Sequence, residues 1–295
     1  MTLEQLRIFL AVAEREHLTQ AAGALHLTAS AVSASIKTLE ELHHVKLFSR
    51  VGRGIELTTE GRVFLREARE TLARARVAEL ALSELGGLRQ GRIDVHASLT
   101  IANYWLPQRL LQFHERYPGI ELHLTLGNTA TVAQAVTSGI AELGFIEGSI
   151  DEPALSTTRI ASDELVIVVP ADHAIARSPK RAAARHLPQL RWILREPGSG
   201  TRTAFEYALR TLKIEPEQLN LALTLPSNEA ILTAVQSGQY ATALSRAVVA
   251  PLIENGRLRA LDIALQPRDF TLLRHQERHL SSAARELQTL CSDAS

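Results

Sequence analysis

Hydroxyl, glycine and arginine residues gather at three places in this sequence where a small ligand can be held. The first is Ser98-Leu99-Thr100, which ends the expected strand at 93–97 and stands ahead of a helical pattern beginning near Leu106. The second is Arg195-Glu196-Pro197-Gly198-Ser199-Gly200-Thr201-Arg202, which leads from a short apolar run into a helix from Thr203. The third is Phe145-Ile146-Glu147-Gly148-Ser149, at the end of another apolar run. Free N–H groups at a helix start attract an anion or a polar head group. Glycine lets backbone approach closely, and strand ends in an open α/β sheet are where ligands bind. A plain connecting loop accounts for the Gly-Ser-Gly turn equally well, and an ion pair with an acidic neighbour accounts for Arg195.

Other chemistry is poorly represented. No Lys follows the second glycine run, so it is not a Walker A loop, and no Gly-x-Ser-x-Gly elbow occurs. Asp172-His173 follows Pro170 in an expected surface turn. His275 and His279 are four apart, as two metal ligands on one helical face would be. Glu277 sits where a His-Glu-x-x-His motif does not want it, so a solvated surface helix is expected instead. The single cysteine, Cys291, forms no internal disulfide and lies in a poor setting for a nucleophile. We expect no catalytic residue, no metal ligand and no cofactor. A solute-binding protein would suit the second half of the chain, but the N-terminal helices and the missing export signal argue against it.

The elements that position these groups follow from composition and pattern. A chain of 295 residues with 45% apolar and 22% charged residues can fill two or three packed domains. Basic and acidic residues balance at 32 each, so any surface for nucleic acid must be local. No run approaches the length of a membrane span, and the expected location is cytoplasmic. Leu6, Phe9, Leu10 and Ala13 share one face of a first helix. Thr19 is the expected cap of a short helix over 20–26, and Leu27-Thr28 a turn. A third helix is expected over 29–42 with Val32, Ile36 and Leu39 buried. Residues 45–57 read as a hairpin with a Gly-rich tip, and Thr58 or Thr59 caps a long helix over 60–85. Leu65, Ala68, Leu72, Ala75, Ala78, Leu82 and Leu85 form a narrow seam on that helix, suited to pairing between subunits. Gly86-Gly87 and Gly91 mark a linker. Beyond it, strands alternate with helices, which predicts an α/β pattern with largely parallel sheets in two lobes.

Helix, tight turn and helix within the first 45 residues is the arrangement that lays a recognition helix in a major groove. Ser30, Ala34, Lys37 and Glu41 would face outward, flanked by Ser33 and Thr38 and preceded by Thr28 in the turn. Small polar side chains let such a helix sit close to base edges. Arg50 and Arg53 at the hairpin tip, with Lys46 before them, make a basic wing for backbone or minor-groove contact.

These runs carry a family resemblance. The stretches from Leu6 to Glu14, Leu18 to Ala22, Ala31 to Glu40, Leu47 to Arg50 and Leu57 to Gly61 resemble the winged helix-turn-helix of LysR-type transcriptional regulators. The likeness continues in order along the chain. It implies a winged helix-turn-helix at 1–59, a dimerisation helix and hinge at 60–91, and an effector-binding domain at 92–295. That domain would resemble periplasmic binding proteins, with one α/β lobe at 92–161 and 267–295 and the other at 162–266. The resemblance implies a small, anionic effector in the cleft between lobes, at Ser98 and Thr100, Ser149, Ser199 and Thr201, and Asn228. It also implies double-stranded promoter DNA as partner, a dimer that builds a tetramer, RNA polymerase as a further partner, and no membrane. Family members often carry Gln then Pro early in the recognition helix. Ala29 and Ser30 stand there instead, which moves readout toward Ser30, Ser33 and Lys37. The run from Arg195 to Arg202 resembles that of members controlling sulfur or inorganic-carbon assimilation.

Overall fold

A computed structural model describes residues 1–51, 54–85, 91–177 and 184–292. The chain divides into two compact units, one of Met1–Leu85 with Ser138–Ile140, the other of the remaining residues. Arg53 and the Gly86-Gly87 linker lie outside the described residues.

The first unit comprises α1 (Leu3–Arg15), α2 (Leu18–Ala24), α3 (Ala29–His43), β1 (Phe48–Val51), β2 (Gly54–Leu57) and α4 (Thr59–Leu85). Each helix starts where a side chain can take an orphan amide. Thr2 and Gln5 form a reciprocal capping box on α1, and Thr28 accepts from the Ala31 N–H on α3. The cap of α2 is His17, whose ring nitrogen accepts from Gln20, so the helix begins two residues earlier than expected and Thr19 lies inside it. Leu6, Phe9, Val12, Val32, Ile36 and Leu39 form the buried centre. Leu65, Ala68 and Leu72, the first part of the seam on α4, pack on this same core. That part of the stripe is therefore spent within the subunit rather than left for a partner. Ala78 is exposed, and the side chains of Leu82 and Leu85 lie outside the described set.

In the second unit, β3 (Gly91–Ser98), α5 (Leu99–Tyr104), α6 (Leu106–Arg116), β4 (Ile120–Gly127), α7 (Thr129–Ser138), β5 (Leu143–Glu147) and β6 (Leu155–Asp163) follow in order. Next come β7 (Leu165–Pro170), α8 (Ala174–Arg177), β8 (Arg191–Arg195), α9 (Gly200–Thr211), β9 (Asn220–Leu225), α10 (Asn228–Gln236), β10 (Thr242–Ser245), α11 (Arg246–Glu254) and β11 (Leu258–Ala260). The chain then returns through β12 (Arg268–His275) to α12 (Ser282–Ser292). One sheet has the order β4-β3-β5-β12-β6 and belongs to the first lobe. The second lobe holds β10-β7-β11 and the pair β8-β9.

Only part of this is parallel. β3 runs parallel to β4 and β5, and β8 to β9, as crossover helices require. β12 is antiparallel to β5 and β6, and β7 to β10 and β11, which corrects the expectation of largely parallel sheets. The reason is topological: the chain crosses between lobes along β6–β7 and returns along β12, so these strands arrive from the opposite direction. His275 ends β12 paired with Leu155, so it does not sit on the surface helix expected for it. Two helix starts also differ. α5 intervenes before Leu106, burying Ile101 and Ala102, and α9 begins at Gly200, three residues before Thr203.

Candidate DNA interface and effector cleft

The outward side of α3 is polar because its inward side is fully used. Val32, Ile36 and Leu39 are buried, while Ser30, Ser33, Ala34 and Lys37 are exposed. Thr28 and Ser30 hydroxyls lie 3.0 Å apart at the N-terminal end, where N–H groups point outward. Lys37 lies 3.5 Å from Glu41, a pair exposed enough to release the lysine to a base edge. On the hairpin Arg50 is exposed, opposite Ile55. Lys46, expected on the basic wing, donates to Glu40 at 2.7 Å.

Glu40 joins α3 to the wing, a link that nothing in its local spacing announces. It is buried on α3, and Oε1 accepts from the Leu47 N–H at 2.8 Å and the Phe48 N–H at 3.2 Å. Burial alone would raise its pKa, but Lys46 and the two amides outweigh it and hold the carboxyl below its ordinary range. One carboxylate thus ties the candidate recognition helix to the first strand of the wing. Gly61 fixes the next joint: a Cβ there would fall on the Leu47 carbonyl oxygen and the Leu57 side chain. Thr58 completes it, accepting from the Gly61 N–H at 2.9 Å and donating to Lys46 O at 2.7 Å.

In the second unit, β3, β4 and β5 end along one edge of the sheet, which is where a crevice opens in such folds. Ser98, at the end of β3, is 1% exposed and its Oγ has no hydrogen-bond partner. Thr100 follows, buried, accepting from Asn228 Nδ2 at 3.3 Å. Asn228 begins α10 in the second lobe, and its Oδ1 accepts from Arg195 Nη1 at 2.9 Å. Arg195 makes two further bonds, Nε to Glu196 Oε2 at 2.8 Å and Nη2 to Oε1 at 3.0 Å. It is a built-in ion pair.

Ser199 caps the backbone of α9 but makes no side-chain cap bond, which leaves amides of the first turn available. It is buried, as is Thr201, whose Oγ1 accepts from Arg268 Nη1 at 2.9 Å. Arg268 Nε in turn donates to Asp163 Oδ2 at 2.8 Å, and Ser245 donates to Oδ1 at 2.6 Å. Arg268 Nη2 lies equally near Oδ2 but without hydrogen-bond alignment. This buried network joins both crossing strands to α9 and β10. Arg202 is occupied by Glu206 and the Arg195 carbonyl.

Of the six effector residues expected from the sequence, Ser98, Thr100, Ser199, Thr201 and Asn228 are buried around these strand and helix ends. Ser149 is not among them; it is exposed beyond the end of β5. The buried residue there is Glu147, 3% exposed, with Oε1 unpartnered. A Cβ at Gly200 would fall on the Glu147 carbonyl oxygen and 3.1 Å from its Cβ, so β5 ends against the start of α9. Glu147 is the last residue of this wholly buried strand, two residues before Ser149. Among the described residues, no group of His, Cys, Asp and Glu could hold a metal, and no helix is long and apolar enough to cross a membrane.

Comparison with known proteins accords with this geometry. Residues 3–62 match the family model for the bacterial regulatory helix-turn-helix protein, lysR family, and residues 86–295 match the LysR substrate binding domain. The chain is 34% identical over 296 residues to the uncharacterized HTH-type transcriptional regulator YeiE of Escherichia coli (strain K12), covering 100% of this chain and 98% of the relative. Its fold is similar to that of full-length CbnR crystallised with its target DNA, at TM-score 0.71, 21% identity and full coverage of both chains. The Synechocystis PCC6803 CcmR regulatory domain in complex with 2-PG is similar at TM-score 0.62 and 25% identity, covering 70% of this chain and 98% of that one. With both halves matched in order and a relative aligned end to end, the chain belongs to the LysR family of transcriptional regulators.

Proposed function

We propose that this LysR-type regulator reads an operator with Thr28, Ser30, Ser33, Ala34 and Lys37 of α3, steadied on phosphates by Arg50 and Arg53. It switches when a small anion settles among Ser98, Thr100, Ser199, Thr201 and Asn228. The observation that carries the DNA half is the fully exposed polar side of α3 opposite a fully buried apolar one. The effector half rests on Ser98, a buried hydroxyl without a partner, two residues before Thr100, which bonds Asn228 at the start of α10 in the second lobe. A buried unsatisfied hydroxyl costs about 1–3 kcal/mol, so a ligand that satisfies it gains that much.

The working unit is a dimer on a pseudo-palindromic site, doubled to a tetramer as multi-site regulators need. The likeness to CbnR, whose DNA complex is known, supports this reading. Such a protein acts where the chromosome is, in the cytoplasm, and modulates RNA polymerase at the promoter rather than catalysing a reaction. Only a ligand that binds two lobe arrangements with different affinity can drive the switch.

Two measurements test the proposal. Gel shifts across salt on a promoter fragment selected from the genome should weaken steeply, with Arg50→Ala lowering the slope by about 0.9 per wing, about 1.8 for a dimer with both wings engaged. A thermal-shift screen of small anions should find stabilisation that Thr100→Ala and Thr201→Ala reduce. No stabilisation by any anion would remove the effector half; an unchanged salt slope would remove the wing assignment.

A further inference from the structure

The cleft holds more negative charge than an anion site needs, and that excess is informative. Its two buried arginines are already neutralised, Arg195 by Glu196 and Arg268 by Asp163. Glu147 stands apart from both pairs, buried at the C-terminal end of β5 with Oε1 unpartnered. Ala97 and Phe145 are register partners on parallel β3 and β5, so Ser98 and Glu147 end adjacent strands at the same edge. The close contact between Gly200 and Glu147 sets the same strand end against the first turn of α9. The residue with this unpartnered carboxylate thus adjoins, through its backbone and Cβ, the helix start whose amides attract anions. A carboxylate beside an anion is repulsive unless a proton lies between them, in which case the contact becomes a charge-assisted hydrogen bond.

We propose that Glu147 sets specificity in the effector site by accepting a hydrogen bond from the effector. The cleft then takes an anion that also carries an O–H or N–H donor, and rejects anions that can only accept. Ser98, able to donate or accept, serves the same ligand from β3. This rests on the anion site proposed above and adds its selectivity. A site built to pair a ligand donor discriminates strongly against the analogue lacking it, because a buried group is left unsatisfied.

The test uses the full chain and two matched pairs of probes, titrated by calorimetry at neutral pH: phosphate against sulfate, and glycolate against acetate. Phosphate keeps a proton that sulfate lacks at similar shape; glycolate adds a hydroxyl to acetate. Wild type should favour the donor-bearing member of at least one pair by about tenfold or more. In E147Q, whose amide can itself donate, that preference should fall to within about twofold, chiefly by tighter binding of sulfate or acetate. Sulfate and acetate binding wild type as tightly as their partners would overturn the role of Glu147, as would a preference that survives in E147Q. Binding by none of the four would remove the anion site itself, and this selectivity with it.

Discussion

Asn228 Nδ2 donates to Thr100 Oγ1 at 3.3 Å across 128 residues of sequence, fastening α10 of the second lobe to α5 of the first. The same amide accepts from Arg195 through its oxygen, so one fully buried side chain bonds to both lobes. Two further contacts span the lobes nearby. Ala130 N–H donates to the Gly198 carbonyl at 3.2 Å, and Asn128 Nδ2 to Glu196 Oε1 at 3.2 Å. An effector bound at the proposed site would meet polar contacts that already join the lobes.

Asn228→Ala should cost about 1–3 kcal/mol of stability, because it removes two bonds and leaves Arg195 Nη1 short of a buried acceptor. Urea unfolding of the full chain measures it. Asn228→Asp keeps the acceptor for Arg195 and loses the donor to Thr100, so it should retain more of that stability. Equal losses in the two variants would mean that the Arg195 bond contributes little.

Glu40 gives a pH-dependent prediction in the first unit. Its folded pKa is below the ordinary 4.5, so its contribution is present above the unfolded value and is lost as pH falls through the folded one. Glu40→Gln should therefore be less stable than wild type at pH 7, with the gap narrowing below about pH 4. Its operator affinity should fall less than that of Glu40→Ala, because the Gln carbonyl still accepts from the Leu47 and Phe48 amides whereas Ala removes the acceptor. A gap that stays constant with pH would remove the carboxylate's charge from the account.

The two tight glycines separate the functions. Gly61→Ala sets a Cβ on the Leu47 carbonyl, and overpacking against backbone costs about 1–3 kcal/mol. DNA binding should weaken while anion binding persists. Gly200→Ala sets a Cβ on the Glu147 carbonyl and beside Thr129, and should do the reverse. Paired gel-shift and calorimetric titrations of both variants read the contrast.

Cys291 should be inert. Burial pushes its thiol up to about 12, with Arg109 pulling weakly the other way. Ellman's reagent at pH 8 should label none of the native chain and one thiol per chain in denaturant. Rapid labelling of the native chain would contradict the burial of α12 against the first-lobe sheet.

Periodic features were legible in advance and long-range ones were not. The stripe of Val32, Ile36 and Leu39 dictates the fate of α3 within twelve residues, so the exposed side of that helix could be read directly. α5 was missed because six residues are too few to show a helical period. β6 buries only Leu155, Ile160 and Asp163, spaced five and three apart with no strand period, and its partner β12 lies more than a hundred residues on. Nothing local announces that pairing, nor the buried bond of Asp163 to Arg268. Hydroxyls at helix starts drew attention to Ser98, Ser199 and Thr201. Ser149 lies exposed beyond the strand end while Glu147 closes the wholly buried β5, a difference in burial that no local pattern announces.

The central claim is that the polar side of α3 reads base edges while the wing holds phosphates. Fluorescence anisotropy at fixed salt, with an operator duplex and a scrambled duplex of equal length, tests it through the ratio of the two affinities. A double variant, Ser33→Ala with Lys37→Ala, should lower that ratio, whereas Arg50→Ala should weaken both duplexes alike and leave it unchanged. An unchanged ratio in the α3 variant, or a collapsed one in the Arg50 variant, would contradict the assignment of recognition to α3.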